Sequence, residues 1–383
     1  MLGLPGRTFG FKYRALVCAL LCISLCGFSG GLRGVVGAGP EEEPPTAAEF
    51  RYEGLSRVQF PTLVGTWLKQ GKYQEFTRAA RPAFPVPALA QGYIPQGLCY
   101  SQALGCFVIT YYFYPAGERP SLLALVDAKT GERVKSLYLM RPGGMPYDGH
   151  AGGSAAWGEH VWVTSEHRAW RLDVEDLRRA RDYGTVRFRD SFRPGAKGSI
   201  AFCADDTLWI GEYYSPEKTE RVPPGRWDPS TGNMAWCAGF PLSGNEPRGV
   251  AGLGHGEATA PAYVLSLPDY VQGACVAATG ELLLSTSHST QLPSWLLVGP
   301  RLAGLLAQPP AYTVAIGKKA RPLWVVDGSA AGRMILPPMS EGICAVDGDI
   351  YVLFESAALK YREGAQLYAD YVFSLEEGDL ARR

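Results

Sequence analysis

The chain has 383 residues, with 37 Lys+Arg against 37 Asp+Glu, 46% hydrophobic residues, 46 glycines and 29 prolines. Zero net charge without an extended basic run argues against nucleic-acid binding, which takes its affinity from Lys and Arg on phosphates, and 15 Phe, 20 Tyr and 9 Trp give too much core-forming surface for a disordered chain. Beyond the N-terminus no apolar run reaches the ~18 residues of a membrane helix, and the excess of Gly and Pro over charge points to short strands joined by tight turns.

In chain order, the first element is a targeting segment over residues 1–38. Arg7, Lys12 and Arg14 form a basic region, Ala15 to Phe28 is uncharged and apolar, and the small-residue run Gly30 to Gly39 follows. This is the grammar of a signal peptide, or of a membrane anchor if it is not cleaved. The expected location is secreted or extracellular, with a single-pass membrane-anchored form as the alternative. Removing 1–38 takes away Arg7, Lys12, Arg14, Arg33 and no acid, which leaves a mildly acidic chain. Residues 39–83 read as a linker (Glu41 to Pro45) and an N-terminal extension with a short helix around Thr66 to Ala79.

Cys18, Cys22 and Cys26 lie in the targeting segment, and Cys99, Cys106, Cys203, Cys237, Cys275 and Cys344 remain. An even number in an exported chain permits disulfides. Cys99 with Cys106 across a hairpin is the local pair to test, although Cys99, Cys275 and Cys344 also suit compact core positions. Neither Asn233 nor Asn245 begins a glycosylation sequon.

From Ile94 the chain repeats itself. Gln96-Gly-Leu-Cys-Tyr, Gly152-Gly-Ser-Ala-Ala, Gly198-Ser-Ile-Ala-Phe, Gln272-Gly-Ala-Cys-Val and Glu341-Gly-Ile-Cys-Ala each lead through a tight turn to a second apolar strand. The turns include Gly158-Glu159, Asp205-Asp206, Thr279-Gly280 and Asp347-Gly348, which is hairpin chemistry. Ser121 to Ala128, Lys129-Thr-Gly-Glu and Arg133 to Leu139 extend the first hairpin to four strands. The fold predicted for 84–383 is therefore all-β, a β-propeller of four-stranded antiparallel blades. Five blades are counted, with room for a sixth in 41–83 or 290–325. The last unit has residues for three strands only, so Phe84 to Gln91 is predicted to supply its fourth and close the ring, with its prolines tolerated at an edge.

In an antiparallel hairpin the start of the first strand lies beside the end of the second. One face of the disc should therefore collect Gln96, His150 with Gly152, Lys197, Gln272 and Glu341 from the starts, and Tyr111, Tyr112, Glu166, Glu212, Ser287, His288 and Glu355 from the ends. Oxygen-rich sets suit Ca²⁺ or Mg²⁺, which makes Glu166, Glu341 and Glu355 the candidate metal ligands. Glu212 is the candidate base and His150 the proton carrier of a hydrolytic site. Gln96, Tyr112, Gln272, His288 and Arg226 are the candidate ligand-binding residues. Arg226 lies with Arg221 and Trp227 in the insert Tyr214 to Gly232, expected to overhang the same face as a lid. Polar residues also collect at blade ends without any ligand, so the collar carries a bland reading beside the functional one.

Other patterns fall short. Gly252-Leu-Gly-His-Gly lacks the context of a phosphate loop, and His160 and His167, seven apart along a strand, face opposite sides. Arg178, Arg179, Arg181, Arg187, Arg189 and Arg193 alternate with acids and read as a solvated edge. Trp157, Trp162, Trp170, Trp209 and Trp324 read as blade core.

Ile94-Pro-Gln-Gly-Leu-Cys-Tyr, Leu125-Val-Asp-Ala-Lys-Thr-Gly, Gly149-His-Ala-Gly-Gly and Pro338-Met-Ser-Glu-Gly-Ile with Tyr351-Val-Leu-Phe-Glu-Ser-Ala resemble a group of secreted, largely uncharacterised β-propeller proteins. The resemblance covers most of 94–376. More distantly the chain is similar to the superfamily of NHL-type, gluconolactonase-like and plant-type glutaminyl cyclase propellers. That resemblance implies the fold and export. Lactonase-type members hold an axial metal by Glu, Asn and Asp; no axial Asn is present here, so only the acids carry over. The expected function is a secreted or surface-anchored, monomeric propeller binding an unidentified ligand or an extracellular protein or glycan on the collar face. The alternative is a metal-assisted hydrolase or lactonase at the central opening, and a cyclase or redox propeller is the third possibility.

Overall fold

A computed structural model describes residues 71–217, 230–327, 332–365 and 367–380. Five blades follow one another, each built on four antiparallel strands. Blade I consists of Tyr93–Ser101, Cys106–Phe113, Leu122–Asp127 and Arg133–Met140; blade II of Gly153–Trp157, His160–Ser165, Arg168–Asp173 and Asp190–Phe192. Blade III runs through Ile200–Ala204, Thr207–Glu212, Ala235–Pro241 and Tyr263–Leu267, and blade IV through Val271–Val276, Glu281–Thr286, Ser294–Arg301 and Gly332–Leu336. Blade V takes Ser340–Val346, Asp349–Phe354 and Tyr371–Glu376 from the end of the chain and Arg81–Pro85 from its start. The first strands are innermost and touch in the cyclic order I, II, III, IV, V and back to I. The fold is a five-bladed β-propeller.

Local chemistry explains the hairpins. Asp205 and Asp206 (φ 45° and 51°) and Asp347 and Gly348 (φ 51° and 85°) occupy the left-handed region as pairs, the geometry of the tight turn whose twist matches the flanking strands. Asp and Gly tolerate that region better than other residues. Within each strand, alternate side chains face opposite neighbours. Leu208 and Ile210 pack toward blade II with Trp162, whereas Trp209 packs toward blade IV with Val271 and Leu282. Five apolar clusters result, one in each interface between adjacent blades. The repeat positions Cys99, Ala155, Ala201, Cys275 and Cys344 are buried in these interfaces.

The repeated glycine has a steric cause. A Cβ on Gly97 would stand 2.6 Å from Thr110 Oγ1 and 2.7 Å from Ser154 Oγ of blade II. One on Gly342 would meet Leu98 N and, at 2.8 Å, Gln96 O of blade I. Inner strands approach this closely only where the side chain is missing. The fifth residue of the second strand adds a polar stitch to the next blade: Thr110 Oγ1 donates to Ala151 O (2.8 Å), Thr164 Oγ1 donates to Gly198 O (2.8 Å), and Ser285 Oγ lies 2.6 Å from Ser340 Oγ.

Ring closure follows the predicted plan with a shifted strand. Arg81–Pro85 pairs antiparallel with Tyr371–Glu376, matching Arg81 with Ser374 and Pro85 with Tyr371. Residues 86–91, expected to be part of it, leave the sheet and end in the short turn Leu89–Gln91. Pro82 and Pro85 sit on an outermost strand, where a missing N–H breaks no ladder. Phe84 packs on Phe107 of blade I at 4.9 Å between centroids. Of the helix predicted around Thr66 to Ala79, the described part is Gln74–Ala79, whose Phe76 meets Phe354 and Phe373 of blade V edge-on; residues 39–70 lie outside the described residues.

Segment 290–325 holds no sixth blade. It contains the third strand of blade IV, a short helix Leu302–Leu306, and the hairpin Tyr312–Ile316 with Lys319–Val325, whose second strand pairs parallel with Tyr263–Leu267 and extends blade III. Thr185–Arg187 extends blade I in the same way. In both cases the connection before a blade's fourth strand covers the outer edge of the preceding blade, which removes an exposed edge. The local pair Cys99 and Cys106 is not a disulfide: Cys99 stands opposite Val108, Cys106 stands opposite Ser101, and the six cysteines of the described residues are free thiols. Among the described residues no helix is long and apolar enough to cross a membrane. The targeting segment 1–38 lies outside the described residues.

Candidate functional site

On the face where inner strands begin, the ring opens into a cavity of about 630 Å³. Its lining comes from four blades: Gln96 of blade I; His150, Ser165 and Glu166 of blade II; Lys197, Ser199, Glu212 and the run Tyr213 to Ser215 with Glu217 of blade III; and Gln272 of blade IV. The fifth blade supports it from beneath. The opposite mouth, about 430 Å³, is lined by the hairpin turns and has Asp347 as its carboxylate.

The floor is set by a recurring irregularity of the inner strands. The ladder slips between Pro95 and Leu98, between Val271 and Gly273, and between Ser340 and Ile343. A bulge re-aims the residue it carries, and the residues carried are Gln96, Gln272 and Glu341. Gln96 is 5% exposed, Glu341 2% and Glu355 8%. Carboxylates so deep require hydrogen-bond donors, and amides from the adjacent blades supply them. Gln96 Nε2 donates to Glu355 Oε2 at 2.8 Å and to Pro95 O at 2.8 Å. Gln272 Nε2 donates to Glu341 Oε1 at 3.1 Å. Blade V is thereby tied to blades I and IV through the floor of the cavity.

The walls are acidic and aromatic. Glu212 Oε2 accepts from Trp236 Nε1 (3.1 Å) and from the backbone N–H of Lys197 (3.3 Å), which fixes it at the edge of blade III. Glu166 is exposed on a left-handed turn (φ 53°) after the second strand of blade II. Tyr270 Oη donates to Glu217 Oε1 (2.9 Å), and the Tyr270 ring lies 4.3 Å from that of His288. Tyr112 stacks on His150 at 4.3 Å with an interplanar angle of 22°. Its hydroxyl lies 3.1 Å from that of Tyr361 and accepts from Lys360 Nζ at 3.2 Å. Burial pushes the Tyr213 and Tyr270 phenols up to about 12. Burial, with Glu355 nearby, raises Tyr112 and Tyr361 as well. These phenols are neutral at physiological pH and act as hydrogen-bond donors and polarisable faces.

Of the residues singled out from sequence, Gln96, His150, Glu166, Glu212 and Gln272 line one cavity. Glu341 and Glu355 lie under it as partners of the two amides, while Tyr112 and His288 do not line it and instead pack against His150 and Tyr270. Arg226, with Arg221 and Trp227, lies outside the described residues. Glu166, Glu341 and Glu355 do not converge as the three ligands of one ion: among the described residues no three His, Cys, Asp or Glu side chains gather closely enough to hold a metal. Sequence reasoning placed the insert Tyr214 to Gly232 over this face without singling out Ser215 or Glu217, and it missed Tyr213 and the pair Lys360 and Tyr361. The signal was available for Tyr213, which directly follows a second strand whose last residue was already placed on this face, whereas Lys360 and Tyr361 lie in the short helix Leu359–Arg362 beyond theirs.

No protein-family profile and no curated protein sequence matches the chain. Solved structures with a similar trace include a glutaminyl cyclase of Myxococcus xanthus (13% identity, TM-score 0.39, covering 78% of this chain and 94% of that one). A PQQ-bound aldose sugar dehydrogenase of Streptomyces coelicolor is similar at 13% identity and TM-score 0.40, covering 77% and 96%. Regucalcin, a calcium-binding protein of Agrobacterium tumefaciens, is similar at 14% and 0.36, covering 78% and 93%. Likeness at this level carries no argument about activity.

Proposed function

We propose that this propeller binds a small polar ligand in the mouth of its ring, on the face where the inner strands begin. The observation that carries the reading is the floor of the cavity, where Gln96 and Gln272 are held by the buried carboxylates Glu355 and Glu341. Side chains fixed by deep partners and aimed into a concave space are the arrangement that recognises small molecules with little ordering cost. The basic and apolar N-terminal segment supports export, as a secreted or membrane-anchored protein. The metal-assisted hydrolase is not favoured, because its three carboxylate ligands stand apart.

A thermal-shift screen of polar metabolites on the full chain tests the proposal. A ligand at about 100 times its Kd stabilises by about 2.7 kcal/mol, a readily measured rise in Tm. At least one compound is expected to give such a shift with wild type and to lose it with Gln272→Ala and Glu212→Gln. Shifts that persist unchanged in both variants would place binding elsewhere and defeat the reading.

A further inference from the structure

We infer that the ligand of this pocket is a small organic cation, an ammonium compound carrying hydroxyl or amide groups. The inference rests on the pocket reading above and adds the charge and chemistry of the occupant. Hydrogen-bond supply and demand in the cavity point this way. Both amide protons of Gln96 are spent, on Pro95 O and on Glu355 Oε2, each at 2.8 Å, so its remaining function is an acceptor. Glu166, Glu212 and Glu217 on the walls accept only. Lys197 is the single lysine or arginine among the described lining residues, and no arginine fork of the kind that grips carboxylate or phosphate is among them. Three carboxylates against one lysine make the described lining net negative, which favours a positive occupant.

A second observation comes from the rim, where the chain has already captured a cation of its own. Lys360 Nζ stands 4.5 Å from the ring centroid of Tyr114, 4.7 Å from Tyr361 and 5.5 Å from Tyr112, and donates to Tyr112 Oη at 3.2 Å. Three tyrosine faces around one ammonium group are cation–π recognition. Tyr112 links this cluster to the cavity, because its ring stacks on His150, which lines it. Tyr213 and Tyr214 line the cavity beside Glu212 and Glu217, so aromatic and carboxylate groups alternate along the same run of chain.

The test compares choline with its neutral isostere, in which carbon replaces the quaternary nitrogen, and with acetate, by calorimetric titration of the full chain at low and high salt. Choline is expected to bind about tenfold or more tightly than the isostere, to weaken as salt rises, and to weaken about tenfold in folded Glu212→Gln and Glu217→Gln variants. Acetate is expected to give no heat. Equal affinity for choline and the isostere, binding of acetate, or no choline binding at millimolar concentration would overturn the cation. If a neutral or anionic compound then binds and is lost in Gln272→Ala, the pocket stands while the cation falls. If choline binds and ignores every pocket substitution, both readings fall.

Discussion

Asp370 is 1% exposed, and neither of its carboxyl oxygens has a hydrogen-bond partner beyond its own backbone amide. Its backbone carbonyl accepts from Val86 N (2.8 Å), just past the strand that closes the ring. Burial pushes its pKa up to about 6, with Arg362 opposing. A carboxyl whose pKa is higher in the folded than in the unfolded chain binds its proton more tightly when folded. The stability it contributes is therefore complete below about pH 4 and is lost as pH rises to about 6. The span corresponds to about 3 kcal/mol at most. Denaturation midpoints measured across that range should show a decline with rising pH in wild type that is absent in Asp370→Asn, and parallel curves for the two proteins would refute the assignment. Other single residues act without titrating. Thr110 both accepts from Gly97 N (3.2 Å) and donates to Ala151 O (2.8 Å), so one hydroxyl serves two blades.

At the scale of elements, the ring is held by a strand that the chain contributes from its far end. Phe84 is 3% exposed between blades V and I. Removing a buried phenyl costs about 3–5 kcal/mol, so Phe84→Ala should lower urea stability by that amount, and a loss below about 1 kcal/mol would mean that closure does not depend on this contact. The hairpins were legible because their signals are local: Asp205-Asp206 and Asp347-Gly348 each specify a turn by themselves. The closing strand was legible only approximately, since Phe84 and its prolines mark an edge strand without fixing its register. The pairing of the strands Thr185–Arg187 and Lys319–Val325 was not legible, although Trp324 read as blade core and Arg187 as an edge. Their partners belong to a preceding blade in parallel pairing, and nothing within a short segment encodes which distant edge it will cover. The bulges at Gln96, Gln272 and Glu341 lie between these cases, written as a polar residue followed by glycine but readable as bulges only once the neighbouring inner strand is in place.

Over the whole molecule, stability rests on five interface cores rather than on cross-links. The six cysteines of the described residues are free, and burial raises the pKa of Cys99 and Cys237, which makes them poor thiolates. The thermal midpoint should therefore be the same with and without reductant, and a clear fall in reductant would reveal a stabilising disulfide. The collar was legible from sequence as a set of positions because propeller geometry sends strand starts and second-strand ends to one face. The roles within it were not, because burial decides them: Glu341 and Glu355 look equivalent to Glu166 in sequence, yet two sit beneath the floor holding amides and the third stands in solvent. That division is the basis of the proposed recognition surface. Its most direct test is backbone hydrogen exchange of the full chain with and without the strongest binder from the thermal-shift screen. Slowed exchange is predicted in 148–153, 196–199, 212–215 and 270–273, the segments that line or flank the cavity. Protection confined to the hairpin turns of the opposite mouth, at Gln102, Gly158 and Asp347, or no protection at all, would contradict the account.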